Sequence, residues 1–216
     1  MATIGPSSRR GTATDPIRCA ILISGSGSGM KAMLDYQASR PECGHTTVVV
    51  ISDIDGAGGL EKATRSGVTA TSLPLPDIED RTQRRRLHEE QLHAALVHFD
   101  VELIILSGYM RLLTASFVDQ WAPRIINIHP SLLPAFPGAH AHRDVLEAGA
   151  QISGCTVHYV DAGMDTGQIL GQRRVPVFSS DTERTLGERV KVEEHRLYPQ
   201  IIDQLASLGL PHFQED

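Results

Sequence analysis

The chain has 216 residues, 41% of them hydrophobic and 21% charged, which excludes wholesale disorder and fibrous structure and leaves room for one large domain or two small ones. Its 20 Lys+Arg stand against 26 Asp+Glu, a net charge of -6 that is a poor balance for a general binder of duplex nucleic acid. Three cysteines (Cys19, Cys43, Cys155) without a C-x-x-C pair argue against a disulfide framework or zinc ribbon and fit a reducing compartment.

Residues 1–15 are small, polar and aperiodic, and are expected to form a disordered tail with no part in the chemistry. An apolar run over 17–23 predicts a buried strand, and 28–39 a helix. A β-branched strand over 46–51 follows, then a helix over 58–66 closed by Gly67 and a short strand over 68–73. Pro74, Pro76 and Asp77 mark a loop. Asp80 and Gln83 have capping-box spacing and open a helix to about Phe99, with Leu87, Leu92, Leu96 and Phe99 on one face. Within it, Arg84-Arg85-Arg86 reads as a solvated face, since Glu89 and Glu90 follow at once. A strand over 101–106 completes a β-α-β-α-β-α-β order, which implies a doubly wound, mostly parallel α/β sheet with a Rossmann-like N-terminal half.

The pattern continues with a helix over 114–121, a strand over 124–128 and a loop containing Pro130, Pro134, Pro137 and Gly138. Strands over 155–160 and 169–177 flank a polar loop at 161–167. A last helix starts near Asp181, where Ser180 and Glu183 have capping-box spacing. Its stripe is Leu186, Val190, Leu197, Ile201, Leu205 and Leu208, and Pro199 should kink it. The longest apolar runs, such as 48–51 and 103–106, fall far short of the roughly 18 residues of a membrane span. With no apolar leader near the start, the expected location is cytoplasmic.

Four features carry chemistry. Ser24-Gly25-Ser26-Gly27-Ser28-Gly29 lies at a strand-to-helix turn. There, glycines let backbone N–H groups approach an anion, or simply allow a tight turn. Asn127 and His129 sit two apart on a strand and so face the same way, at its C-terminal end; an amide donor beside an imidazole can stabilise an oxyanion and move a proton. Asp165, on a glycine-flanked loop, can favour the charged form of a neighbouring imidazole. Glu194 falls on the apolar stripe of the last helix, where a carboxylate is costly unless paired or used. His140 and His142, even with His129 and His158, do not make a familiar metal spacing, so no metal is expected.

From about residue 17 to 199 these motifs resemble the phosphoribosylglycinamide formyltransferase family, the folate-dependent glycinamide ribonucleotide transformylases of purine synthesis. The resemblance rests on Ile23-Ser24-Gly25-Ser26-Gly27-Ser28, on Val50-Ile51-Ser52-Asp53 with Gly59-Leu60-Glu61, and on Ser107-Gly108-Tyr109-Met110-Arg111-Leu112-Leu113. It rests also on Ile126-Asn127-Ile128-His129-Pro130-Ser131-Leu132-Leu133-Pro134, and on Gly154-Cys155-Thr156-Val157-His158-Tyr159-Val160 through Asp165-Thr166-Gly167. It implies a single formyltransferase domain over 16–216, with a nucleotide-binding half to about 110 and a folate-binding, catalytic half beyond.

The same resemblance implies that Asn127, His129 and Asp165 are catalytic. It places Gly27, Ser28 and Gly29 at the ribonucleotide phosphate, and Pro130, Lys191 and Glu194 on the same substrate. Arg81, Met110, Arg111, Leu112, Leu113, Asn127 and Val160 fall to the folate, 10-formyltetrahydrofolate, which enters as co-substrate. The implied chemistry is direct attack of the glycinamide amine through a tetrahedral intermediate stabilised by Asn127 and His129, with Asp165 raising the histidine pKa. An Asn is usual in the family where Gly29 stands, and more acidic residues where Ala162 and Gly163 stand. The expected partners are these small molecules, with no nucleic acid and no membrane; a homodimer stays open. The nearest alternative is 10-formyltetrahydrofolate hydrolase, whose family carries an N-terminal regulatory domain. Methionyl-tRNA formyltransferase, with an added C-terminal domain and a basic surface, and a non-catalytic nucleotide-binding module are further rivals.

Overall fold

The structure, a computed structural model, describes residues 9–210. Strands form where aliphatic and β-branched residues run together. β1 (Ile17–Ile23), β2 (His45–Ser52), β3 (Thr69–Ser72), β4 (Leu103–Leu106) and β5 (Ile125–His129) pair in parallel. β6 (Ile152–Tyr159) and β7 (Ile169–Pro176) add antiparallel pairings, giving the sheet order β3-β2-β1-β4-β5-β6-β7. Side chains on both faces of β1 and β4 are buried, which is why these strands read as unbroken apolar runs.

Among the described residues six helices cover the two faces: α1 (Ser28–Ala38), α2 (Gly58–Arg65), α3 (Arg81–His98), α4 (Ala115–Trp121), α5 (Ala141–Glu147) and α6 (Glu183–Leu208). Met30 and Met33 of α1, Ala63 of α2, Val145 of α5 and Leu186, Val190, Leu197 and Ile201 of α6 share one core. Leu92 and Leu96 of α3 and Phe117, Val118 and Trp121 of α4 form the other. This is the expected doubly wound α/β architecture. From β1 the chain moves outward to β2 and β3, then returns to lay β4 on the other side of β1. The loops leaving β1 and β4 therefore diverge, which opens a crevice at the C-terminal ends of the strands.

Several expectations change. The segment read as a loop after β5 contains α5, whose seven residues are too few to show a helical period. β6 starts at Ile152, three residues before the expected strand. α6 is capped by Thr182 and Thr185, not Ser180 and Glu183: each threonine hydroxyl accepts the other's backbone N–H, at 3.2 and 2.9 Å. Just ahead, Asp181 accepts both Arg189 guanidinium nitrogens at 2.7 and 2.9 Å, which fixes where the chain turns into the helix. α6 runs on through Pro199, and Leu208, last on the expected stripe, is exposed.

The expected tail does not include 9–15. Residues 9–15 join the fold: Arg9 pairs with Glu102 at 2.9 Å, and its carbonyl accepts the Leu210 N–H at 2.8 Å. Residues 1–8 lie outside the described residues. No helix among the described residues is long and apolar enough to cross a membrane.

Candidate active site

A cleft of about 1050 Å³ opens where the loops after β1, β4, β5 and β6 meet α6. Asn127 and His129 reach it from the end of β5, and Asp165 from the loop after β6. Register explains the meeting. β5 and β6 are antiparallel with Asn127 opposite His158 and His129 opposite Thr156, so the chain leaving β6 passes back over the end of β5. Asp165 Oδ2 lies 3.3 Å from His129 Nδ1, and Oδ1 lies 3.6 Å from His158 Nε2. The Gly138 N–H donates to Asp165 Oδ2 at 2.8 Å, tying this loop to the one after β5. Asp165 holds φ +55, a left-handed conformation that aspartate and asparagine tolerate better than most residues.

The carbonyls around the two imidazoles define which nitrogens carry hydrogen. His129 Nε2 lies 2.9 Å from the Phe136 carbonyl, which can only accept, so Nε2 bears hydrogen and Nδ1 faces Asp165. His158 Nδ1 donates to the Tyr159 carbonyl at 2.8 Å. Its Nε2 is then the acceptor for the Asn127 amide nitrogen, at 3.3 Å. Burial pushes the His158 imidazole below its usual pKa and keeps it in this neutral, accepting form. The Asn127 amide is thereby oriented by His158, with its second N–H left for the cleft.

The glycine loop meets α1 at one wall. Gly27 adopts φ +65, and a Cβ there would lie 2.8 Å from Gly59 Cα, so only glycine allows the loop and α2 to approach this closely. Lys62 Nζ donates to the Ser26 carbonyl at 2.8 Å, turning it away from the helix start. No side chain caps α1, so its first N–H groups are available to an anion. Ser28, Gly29, Pro130, Lys191 and Glu194 line the cleft, while Gly27 sits behind the wall. Burial raises the Glu194 carboxyl to about 7, with Lys191 opposing the shift.

On the opposite wall Met110, Arg111, Leu112, Leu113 and Val160 all face the cleft. Met110 and Leu112 are 69% and 62% exposed, an apolar ledge that a flat ligand would cover. Arg111 is anchored by an ion pair to buried Asp53 at 2.6 Å. Arg81 does not line the cleft. One helical turn on, Arg85 does, and its guanidinium donates to the Leu112 carbonyl. Of the arginine run read as a solvated face, only Arg86 fits plainly, paired with Glu90 at 3.3 Å. Among the cleft residues that sequence reasoning left without a role are His158, His142, His195, Tyr109 and Arg85. His158 stands 31 positions from its Asn127 partner, a separation that only the antiparallel pairing of β5 with β6 makes meaningful.

The chain belongs to the formyl transferase family, which matches residues 17–202. It is 37% identical over 188 residues to the phosphoribosylglycinamide formyltransferase of Escherichia coli (strain K12), covering 86% of this chain and 85% of that protein. It is 42% identical over 194 residues to the trifunctional purine biosynthetic protein adenosine-3 of Gallus gallus; that match covers 90% of this chain but 19% of the longer protein, about a fifth of its length. Among solved structures, glycinamide ribonucleotide transformylase 1 from Symbiobacterium toebii matches with TM-score 0.80 and 44% identity over 88% of each chain. Phosphoribosylglycinamide formyltransferase from Brucella melitensis matches with TM-score 0.82 and 42% identity, over 91% of this chain and 98% of that one.

Proposed function

We propose that this protein transfers the formyl group of 10-formyltetrahydrofolate to the amine of glycinamide ribonucleotide, a step of purine biosynthesis. The observation that carries the reading is the convergence of Asn127, His129 and Asp165 in one cleft, between an uncapped helix start and an apolar ledge. The helix start and Lys191 take the phosphate, and Glu194 takes the glycinamide end. The ledge at Met110 to Leu113 takes the folate ring system, and Arg111 and Arg85 stand where its carboxylates emerge.

The neutral amine attacks the formyl carbon and negative charge gathers on the formyl oxygen. The free Asn127 N–H, aimed by His158, donates to that oxygen; one such donor is worth about 10²–10³ in kcat. His129 carries the proton from the attacking amine, with Asp165 balancing the charge on the ring; as the tetrahedral intermediate collapses the N10–C bond breaks and that proton goes to N10 of the departing tetrahydrofolate. No covalent enzyme intermediate is needed.

The test is to incubate the protein with 10-formyltetrahydrofolate, with and without glycinamide ribonucleotide. Deformylated folate appearing only when the nucleotide is present supports the transferase. Product without the nucleotide means the hydrolase, and tight nucleotide binding with no turnover means a binding module.

A further inference from the structure

At the far end of β2 from the cleft, Cys43, His45 and Asp203 bring one thiol, one imidazole and one carboxylate together. Their ligand atoms all lie within 4.8 Å of one another. His45 Nε2 is 3.9 Å from Asp203 Oδ1, and Cys43 Sγ is 4.0 Å from the same oxygen. The His45 residue is 1% exposed, yet its Nε2 has no hydrogen-bond partner. A buried imidazole nitrogen left without a hydrogen-bond partner is costly, and here it lies beside two anionic-capable groups. The site joins three elements: the turn after α1, the first residue of β2, and α6.

We propose that Cys43, His45 and Asp203 form a structural site for a zinc-class divalent cation, completed by water. The donor set of one sulfur, one nitrogen and one oxygen suits such a metal and not magnesium or calcium. Thiolate and carboxylate together neutralise a doubly charged ion. Tetrahedral zinc spaces its ligands roughly 3.3–3.8 Å apart. The two contacts to Asp203 Oδ1, at 3.9 and 4.0 Å, need to shorten by about half an ångström, and the Cys43–His45 separation, within 4.8 Å, by about an ångström at most, which the partly exposed Cys43 and Asp203 side chains can supply. An outer contact is already present, since Tyr36 OH donates to Asp203 Oδ2 at 3.2 Å.

The proton balance sets one condition on binding. Gln37 Oε1 accepts from both Thr47 N, at 3.2 Å, and Thr47 Oγ1, at 2.9 Å. Its amide nitrogen therefore faces His45 Nδ1 at 2.9 Å as donor, which places the imidazole hydrogen on Nε2. Metal binding releases the Cys43 thiol proton to solvent and moves the imidazole hydrogen from Nε2 to Nδ1. The Gln37 amide must then turn over to accept it, giving up the Thr47 N–H contact. A carboxylate at position 37 removes this conflict, because one oxygen keeps both Thr47 donors and the other accepts Nδ1–H.

His45 and Ser52 stand at opposite ends of β2, about 23 Å apart. The ion should therefore clamp α6 to the sheet without touching the chemistry in the cleft.

The experiment titrates the full chain with Zn²⁺ by calorimetry, and with Co²⁺ while following the near-ultraviolet thiolate-to-cobalt charge-transfer band. One equivalent is expected to bind with that band and to raise Tm. Cys43→Ser should abolish the band and weaken Zn²⁺ binding at least 10-fold, and Asp203→Asn should weaken it similarly. Gln37→Glu should tighten binding about 10-fold, the scale on which outer partners of a ligating histidine act. Absence of stoichiometric binding overturns the site; binding that survives Cys43→Ser without the band overturns it too and points to the cleft histidines. Weaker binding in Gln37→Glu overturns the assignment of His45 as a ligand.

Discussion

Asp165→Asn isolates the charge in the cluster. Asparagine is nearly isosteric, tolerates the left-handed φ of +55, and its carbonyl oxygen can still accept the Gly138 N–H. What disappears is one negative charge 3.3 Å from His129 Nδ1. Between unit charges at that distance the interaction is about 5 kcal/mol at an effective dielectric of about 20, before desolvation is subtracted. If half of it is felt by the imidazolium that forms in the transition state, kcat falls by about 10². The loss belongs in kcat, because neither proposed substrate is held by this carboxylate. Steady-state rates at saturating folate and ribonucleotide, with KM for each and a melting curve to show an intact fold, measure it. A variant with kcat within threefold of the wild type refutes the electrostatic account. One with normal kcat but much higher KM makes Asp165 a binding residue instead.

Burial raises the Glu194 carboxyl from 4.5 to about 7, so the folded chain holds that proton more tightly than the unfolded one. The resulting stabilisation is complete below pH 4.5 and is lost as pH climbs to about 7. Glu194→Gln removes the titration, so its Tm relative to the wild type should rise across that window and level above it; a constant difference refutes the burial argument. Tyr198 is buried, and its hydroxyl lies 3.0 Å from the Leu106 carbonyl and 2.9 Å from the Ile126 carbonyl, joining β4 to β5 beneath the cleft. Tyr198→Phe should cost about 1–2 kcal/mol, a Tm fall of about 2–6 °C by calorimetry. A Cβ at Gly167 would lie 1.7 Å from the Tyr159 carbonyl oxygen, so Gly167→Ala must move the loop off β6. A displacement near 1 Å at Asp165 should lower kcat about 10²-fold, which the same rate assay reads.

The strands and long helices were legible because their periods are dictated by which face is buried. The Asp80 cap was legible because its geometry is local: Asp80 Oδ1 accepts the Gln83 N–H at 2.8 Å. Asn127 and His129 could be paired from strand alternation alone. What stayed hidden depended on contacts between distant segments. Nothing near His158 announces that it orients Asn127. Arg85, not Arg81, reaches the cleft because the two share a helix face but stand about 6 Å apart along its axis, and sequence alone does not say which turn lies beside the Leu112 loop. Residues 9–15 looked like tail because they carry no apolar period. Their anchorage comes from Arg9 reaching Glu102, 93 positions away.

The loop over the cluster shows how a family departure can be absorbed. Ala162 and Gly163 carry no charge where the resemblance leads one to expect acidic residues. Yet Asp161 Oδ1 accepts both the Gly163 N–H at 3.0 Å and the Thr166 hydroxyl at 2.8 Å, which closes the loop on itself from a single side chain. Asp165 lies inside that closure and is tied again by Gly138 from the neighbouring loop. The stiffness that holds a carboxylate beside His129 therefore comes from a turn-forming aspartate and a cross-loop N–H, neither of which needs charge at 162 or 163. A change at Asp161 or Gly138 should loosen the cluster, and so should a side chain at Gly163, whose Cβ would lie 2.0 Å from the Thr166 Oγ1 that completes the closure.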